Sequence, residues 1–438
     1  MFALTRARSR RTVEAGATRE RPLIAFFDYP DVFEDFYPHY GVGQASFARQ
    51  WSGTGNHAFV SILQRDIGDV VWYAFSLAPE LSEAQHEVVR CRVRMLPSSW
   101  AHRKLWRWFY VSPRAWRWRR SYPAFAFAAS YLALLSVRFV RALREDRPDC
   151  LFVQDYASGR FDVLVVTARL LRVPIVAYHS GSRPSQYLGR LAKRWTIPAT
   201  DRLLVAGPAE RETLARRYRV PQDRIVTVLT PIDTESYRPI ERREACRASG
   251  LDPGRRYVLF MGRFDDQVKQ VSVLINSFAA VAPDHPDADL VVAGDGPDGD
   301  RLRCLADRVA PGRVRFPGWV QSIDATVQLY NAAACLVLPS LREGFPTVVG
   351  EAMACGTPVL ASDVGSVSVL VRNGETGWLV TPGDADALTG RLSWMLGHQD
   401  EEPAMRSRAR AAAVACVSPA GVSQVLRGCL PVPHRRDG

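Results

Sequence analysis

Two glutamates and two cations stand out in this sequence as groups that could do chemistry. Glu343 and Glu351 bracket Gly344, Phe345, Pro346, Thr347 and Val348 in the run LVLPSLREGFPTVVGEAMACGTPV. The run reads as strand, loop and helix, with Pro346 a good first-turn residue. Glu343 then lies ahead of the helix and Glu351 over a turn inside it. Free amides between Phe345 and Val348 would make an anion site at the helix start. Two carboxylates beside an anion repel unless they have another task, and carboxylates accept hydrogen bonds from vicinal hydroxyls such as those of a sugar or ribose. Gly344 and Gly356 permit close backbone approach.

Upstream, Gly262 ends a predicted strand, and Arg263 and Lys269 follow on one loop. Two cations there suit a diphosphate, each charge-assisted hydrogen bond being worth about 1.5–3 kcal/mol. Arg263 says little in an arginine-rich chain. Lys269 says more, because the only other lysines are Lys104 and Lys193. Weaker signals are the turn Gly294-Asp295-Gly296-Pro297 and the strand end Gly318-Trp319-Val320, whose backbone could read a planar base. Taken alone, these are ordinary features of strand–helix turns. The same holds for Gly41-Val42-Gly43 and for His179 at a predicted strand end, since a lone strand-end histidine is commonly structural.

These residues need sheets to position them. PLIAFFDY, HAFVSIL (residues 57–63), DVVWYAFSL, DCLFVQDY, PIVAYHS, RLLVAG and RIVTVL read as strands, alternating with helices from Asp155 onward. A second series runs from YVLFMG to GWLV and ends in helical sequence. The alternation predicts an α/β chain of two doubly wound, parallel-sheet, Rossmann-like domains facing across a cleft. The expected divisions are a disordered basic arm (1–21), a first domain (22–236), a charged, proline-containing connection (237–254), a second domain (255–417) and a terminal helix or tail (418–438). Ligands of open parallel sheets bind beyond the carboxyl ends of the strands.

With these words in place, the chain resembles a family 4 retaining glycosyltransferase of the GT-B fold. MGR…K, VVAGDGP, VRFPGWV and EGFPx4EAMAxGxPV carry the likeness, which spans about 22–396 and is loosest in the first half. The resemblance implies a nucleotide-diphosphate sugar as donor and a hydroxyl acceptor, in keeping with a lipid-linked or cell-envelope glycan. It implies that Arg263 and Lys269 hold the diphosphate, Glu343 the transferred sugar and Glu351 the ribose. Gly41 and Gly43 would back the phosphates, and His179 would lie near the sugar. Configuration would be retained by front-face displacement, without an enzyme nucleophile. The sequence departs from the pattern in four places, one being the run Gly365-Ser366-Val367-Ser368-Val369, where the family often has a glutamate after a glycine pair. The Arg263–Lys269 spacing is one residue longer, Gln270 stands where glycine is common, and Pro231 replaces a glycine in the linker signature. The rival readings are an epimerase of the same fold and an inactive nucleotide-sugar-binding scaffold at a membrane.

Composition sets outer bounds. The chain has 438 residues, enough for two cores, and its net charge of +12 points to anionic partners. Eight cysteines include no C-x-x-C pair, and an acidic pair such as Asp287-Ala288-Asp289 precedes a strand instead of ending one, so neither a zinc site nor any other metal or cofactor is expected. The basic N-terminus lacks an apolar signal core, which predicts a cytoplasmic protein. WAHRKLWRWFYVSPRAWRWRR (100–120) mixes aromatics with cations, followed by an apolar run from Ala124. The mixture predicts peripheral contact with the anionic inner face of the cytoplasmic membrane, or a cover over the acceptor cleft. No nucleic-acid module accompanies it, so nucleic acid is not an expected partner.

Overall fold

A computed structural model describes residues 20–431 apart from 36, 41, 52–54, 79, 112–128, 180–189, 321 and 399–401. The basic arm up to residue 19, Gly41 and residues 112–120 of the 100–120 segment therefore lie outside the described residues.

The first sheet contains β1 (Leu23–Phe27), β2 (Asp69–Ser76), β3 (Ser82–Gln85), β4 (Arg92–Pro97), β5 (Cys150–Gln154), β6 (Ile175–His179), β7 (Arg202–Val205) and β8 (Ile225–Thr227). Its order is β3-β4-β2-β1-β5-β6-β7-β8, parallel except for the edge strand β3. Helices cover both faces, so central strands such as β1 are buried throughout. This explains why they read as unbroken apolar runs. Within β1, Phe26 stacks on Phe152 in one core layer and Phe27 on Tyr73 in the other.

The second sheet contains β9 (Arg256–Met261), β10 (Ala288–Ala293), β11 (Val314–Gly318), β12 (Cys335–Leu338), β13 (Val359–Ser362) and β14 (Gly377–Val380). It runs β11-β10-β9-β12-β13-β14, and its pairings are parallel. Strand order reverses at β1/β5 in one sheet and at β9/β12 in the other. These two crevices are where such sheets bind ligands.

One expectation needs correction, and two gain detail. Residues 57–63 are not a strand: they belong to helix Gly55–Ile62 and the wider turn Leu63–Ile67. Buried Phe59, Val60, Ile62 and Leu63 follow helical spacing, and Phe59 packs on Tyr178. The 237–254 connection is partly structured. Its helix Arg242–Ala248 is capped by Glu241, and Ala245 and Cys246 are buried in the second core. Finally, the terminal helix is present and packed. Helix Glu402–Val417 packs on the second domain, while Pro419–Cys429 returns to bury Val422, Leu426 and Cys429 in the first. These two helices together are long and apolar enough to cross a membrane. Their apolar faces are spent on the two cores.

Candidate functional site

Lys269 and Glu343 come from loops on either side of the β9/β12 switch point. Lys269 Nζ lies 2.6 Å from Glu343 Oε1, and Ser340 Oγ donates to the same oxygen at 2.6 Å. This leaves further ammonium hydrogens and the second carboxylate oxygen for a ligand. Both side chains are largely buried, which strengthens the pair relative to a surface ion pair. Arg263, on the same loop as Lys269, is exposed. Leu341 N donates to Val268 O at 2.8 Å, tying the two loops together.

The Lys269 loop is shaped by its own acids. Asp266 accepts from Ser272 N and Oγ and pairs with Arg301 at 2.6 Å. Gln270, standing where the family prefers glycine, is left-handed at φ 53°, which accounts for that preference.

Beside this loop, Gly294 has φ 140°, and a side chain there would collide with Gly262 O. Phe264 N donates to Asp295 O at 2.8 Å, and Gly294 N to Gly318 O at 2.8 Å. Gly294 thus lets the ends of β9, β10 and β11 nest against one another. Beyond β11, Trp319 is 62% exposed, while Val320 packs against the core.

The predicted helix start is present. Helix Thr347–Ala354 has Pro346 as its N-cap, and Phe345 folds back over Gly350. In its first turn Thr347 is exposed and Val349 N donates back to Pro346 O at 3.0 Å, and the leading amides have no partner within the helix. Glu351 accepts from Tyr330 Oη at 2.8 Å. Burial pushes its carboxyl above the usual range, and hydrogen bonds from Tyr330 and Thr347 limit the rise. Gly344 O accepts from Ser366 N at 3.0 Å and from Ser366 Oγ at 2.9 Å. Gly365, left-handed at φ 61°, allows this approach.

The first domain supplies the facing half. His179, 1% exposed at the end of β6, lies 3.0 Å from Glu210 Oε1 and 3.4 Å from Asp155 Oδ1. Tyr156 packs tilted against its ring, centroids 4.5 Å apart, and donates to the same Glu210 oxygen. Burial alone would lower the imidazole pKa. The hydrogen bond and charge of Glu210, with the charge of Asp155, outweigh it and favour the protonated ring. Asp155 itself is left-handed at φ 80°.

Arg160, buried beneath the loop after β1, donates to the carbonyls of Asp28, Tyr29 and Pro30, and its Nε is 3.6 Å from Asp31. Burial pushes the Asp31 carboxyl up to about 7, against the opposing charge of Arg160. The sequence reading missed Asp31, Asp155, Arg160 and Glu210. Asp31, Asp155 and Arg160 left a trace in FDYPD and QDYASGR, after predicted strands, and Glu210 none, since it lies within helix Pro208–Tyr218.

The Gly41–Gly43 loop is only partly described. Gly43 is exposed at φ −82°, and an added Cβ would meet nothing within 4 Å. Its small size is therefore not demanded by the protein's own packing. Helix Trp100–Val111 joins this region, because Trp106 Nε1 donates to Asp35 Oδ1 at 3.1 Å. The two halves touch where Gly207, preceding the helix that carries Glu210, meets Gly365: a Cβ on Gly207 would lie 2.8 Å from Gly365 O.

Comparison with known proteins agrees with the two-sheet fold. Glycosyltransferase Family 4 matches residues 70–236, and Glycosyl transferases group 1 matches residues 241–412. D-inositol 3-phosphate glycosyltransferase of Rhodococcus jostii is 36% identical over 234 residues, covering 51% of each chain. Its namesake from Mycobacterium sp. (strain KMS) is 36% identical over 225 residues, covering 50% of each. The chain thus spans about half the length of these curated relatives. Anabaena HepE, solved with UDP, superposes with a TM-score of 0.66 at 16% identity, covering 93% of this chain and 98% of that one. Sucrose-phosphate synthase from Thermosynechococcus elongatus gives 0.65 at 20% identity, with coverage of 93% and 98%. By its two family matches and its two facing parallel sheets, the chain belongs to the family 4 glycosyltransferases of the GT-B fold.

Proposed function

We propose that this protein moves a hexosyl group from a nucleotide-diphosphate sugar to a hydroxyl acceptor, with retention of configuration and without a metal cofactor. The observation that carries the reading is the Lys269–Glu343–Ser340 cluster over the β9/β12 switch point, beside the start of helix Thr347–Ala354. Lys269, Arg263 and the helix amides would meet the charge of the leaving diphosphate. Glu343 and Glu351 would accept hydrogen bonds from sugar and ribose hydroxyls. His179, held by Glu210 and Asp155, would face the sugar from the other domain. In front-face displacement the diphosphate itself takes the acceptor proton on the side it leaves. No enzyme carboxylate need then serve as nucleophile, in contrast to a retaining glycosidase.

For the acceptor we propose a lipid-linked or envelope glycan at the inner face of the cytoplasmic membrane. The curated relatives named for D-inositol 3-phosphate support a second candidate, a phosphorylated polyol. Nucleotide release with a panel of nucleotide sugars, with and without each acceptor, tests the reading. Release that rises with acceptor supports transfer. Donor conversion without acceptor would indicate an epimerase, and stabilisation by nucleotide sugar with no turnover would indicate a binding scaffold.

A further inference from the structure

Two helices on the outer face of the first domain expose apolar side chains that its core does not use. Helix Gly159–Leu171 turns Asp162, Val165 and Ala168 inward but leaves Val166 55% and Leu170 79% exposed. Helix Arg190–Thr196 lies beside it. Lys193 Nζ bonds Asp162 Oδ1 at 2.9 Å, and Thr196 bonds the same oxygen at 2.5 Å. That fixes which side of the second helix faces in, and its other side presents Leu191 (69% exposed) and Trp195 (80%). Each helix thus carries an i,i+4 apolar pair, and the helices are packed together.

The charge around these pairs has one dominant sign. Arg169, Arg172 and Arg194 are exposed beside them. Arg138, Arg141 and Arg144 line the exposed side of helix Val137–Asp146, whose Phe139, Ala142 and Leu143 enter the same core layer as helix Gly159–Leu171. Asp201 engages Arg169 at 3.4 Å, and Glu145 engages Arg94 at 3.2 Å, so the acids of this face are already shared. Exposed leucine and tryptophan ringed by arginines complement a bilayer surface. Apolar groups enter the acyl boundary, and guanidiniums sit on lipid phosphates.

We propose that this face, centred on Leu170 and Trp195, docks the protein on an anionic phospholipid bilayer. It is distinct from the 100–120 segment singled out by sequence, and it does not depend on the proposed transfer reaction. The test is flotation of the full chain with phosphatidylglycerol/phosphatidylcholine vesicles and with phosphatidylcholine vesicles alone. The wild type floats with the anionic vesicles and is released by high salt. Leu170→Gln/Trp195→Gln lowers the floated fraction at least tenfold while keeping the wild-type thermal melt. Arg194→Gln/Arg172→Gln lowers it and flattens the salt dependence. The proposal is overturned if wild type stays in the supernatant, if the Leu170/Trp195 variant floats like wild type, or if heparin or DNA captures that variant as well as wild type and removes wild type from vesicles. Nucleotide release in vesicle-free solution, unchanged in both variants, separates a docking failure from failure of the transfer reading.

Discussion

Lys269 and Glu343 form one unit, and the proposed chemistry treats them as such. The ammonium is held at 2.6 Å from a carboxylate that also takes a serine hydroxyl, so losing either partner leaves the other charge poorly compensated in a largely buried place. Lys269→Ala and Glu343→Ala are each expected to lower turnover at least about tenfold, on the order of 1.4 kcal/mol of barrier. Nucleotide release measures this, and wild-type rates in both variants would refute the site. Across the cleft, Asp31 gives a pH signature. Its folded carboxyl holds a proton up to about 7, above an unfolded value near 4. Its contribution to stability is therefore full below about pH 4 and is lost as pH rises to about 7. Asp31→Asn removes that loss. The Tm difference, variant minus wild type, should climb between pH 4 and 7 and then level off. A pH-independent difference would count against a raised carboxyl.

At the scale of elements, the glycines sort by what fills the space they leave. Gly294 is occupied by the Gly262 carbonyl at a backbone angle that suits only glycine. Gly294→Ala should cost at least about 1–3 kcal/mol in urea unfolding and raise donor KM, because the Arg263–Lys269 loop loses its seat. Gly43 has an ordinary backbone and open surroundings. Gly43→Ala should leave stability within about 0.5 kcal/mol, so any rise in donor KM there would report a ligand and not the fold. The same contrast explains what could be read in advance. The Glu343–Glu351 segment was legible because one continuous strand, loop and helix holds its chemistry. Of the set around His179, only the histidine was legible at its strand end; Asp155, Glu210 and Asp31 were not, because separate elements, a helix among them, supply them and each acid looks ordinary in its own stretch. Residues 57–63 misled because a short apolar run fits strand or helix equally well. Gln270 departs from the pattern at the very position whose left-handed backbone explains the glycine preference.

At the scale of the molecule, the question is what holds the two sheets in register. Three features do so. Gly207 meets Gly365 beside the site, and Arg410 reaches the carbonyls of Thr234, Tyr237 and Ala354, fastening the connection to the end of the Glu351 helix. The third is the crossing of the terminal helices, where Ala409 and Ala413 are buried with the second domain and Val422 and Leu426 with the first. Leu426 is fully buried against the first core although the chain reaches it only after completing the second. Leu426→Ala should therefore cost about 2–5 kcal/mol, and its effect should not stay local. Freed of its anchor, helix Pro419–Cys429 would release both domains, so donor KM should rise even though Leu426 lies far along the chain from Lys269 and Glu343. Leu392→Ala, fully buried within the second domain alone, is the control. It should lower stability by a similar amount without the same loss of first-domain packing. Hydrogen exchange across β1 and β5 distinguishes the two: faster exchange in Leu426→Ala but not in Leu392→Ala shows that the terminal helix couples the domains, and equal protection in both shows that it does not.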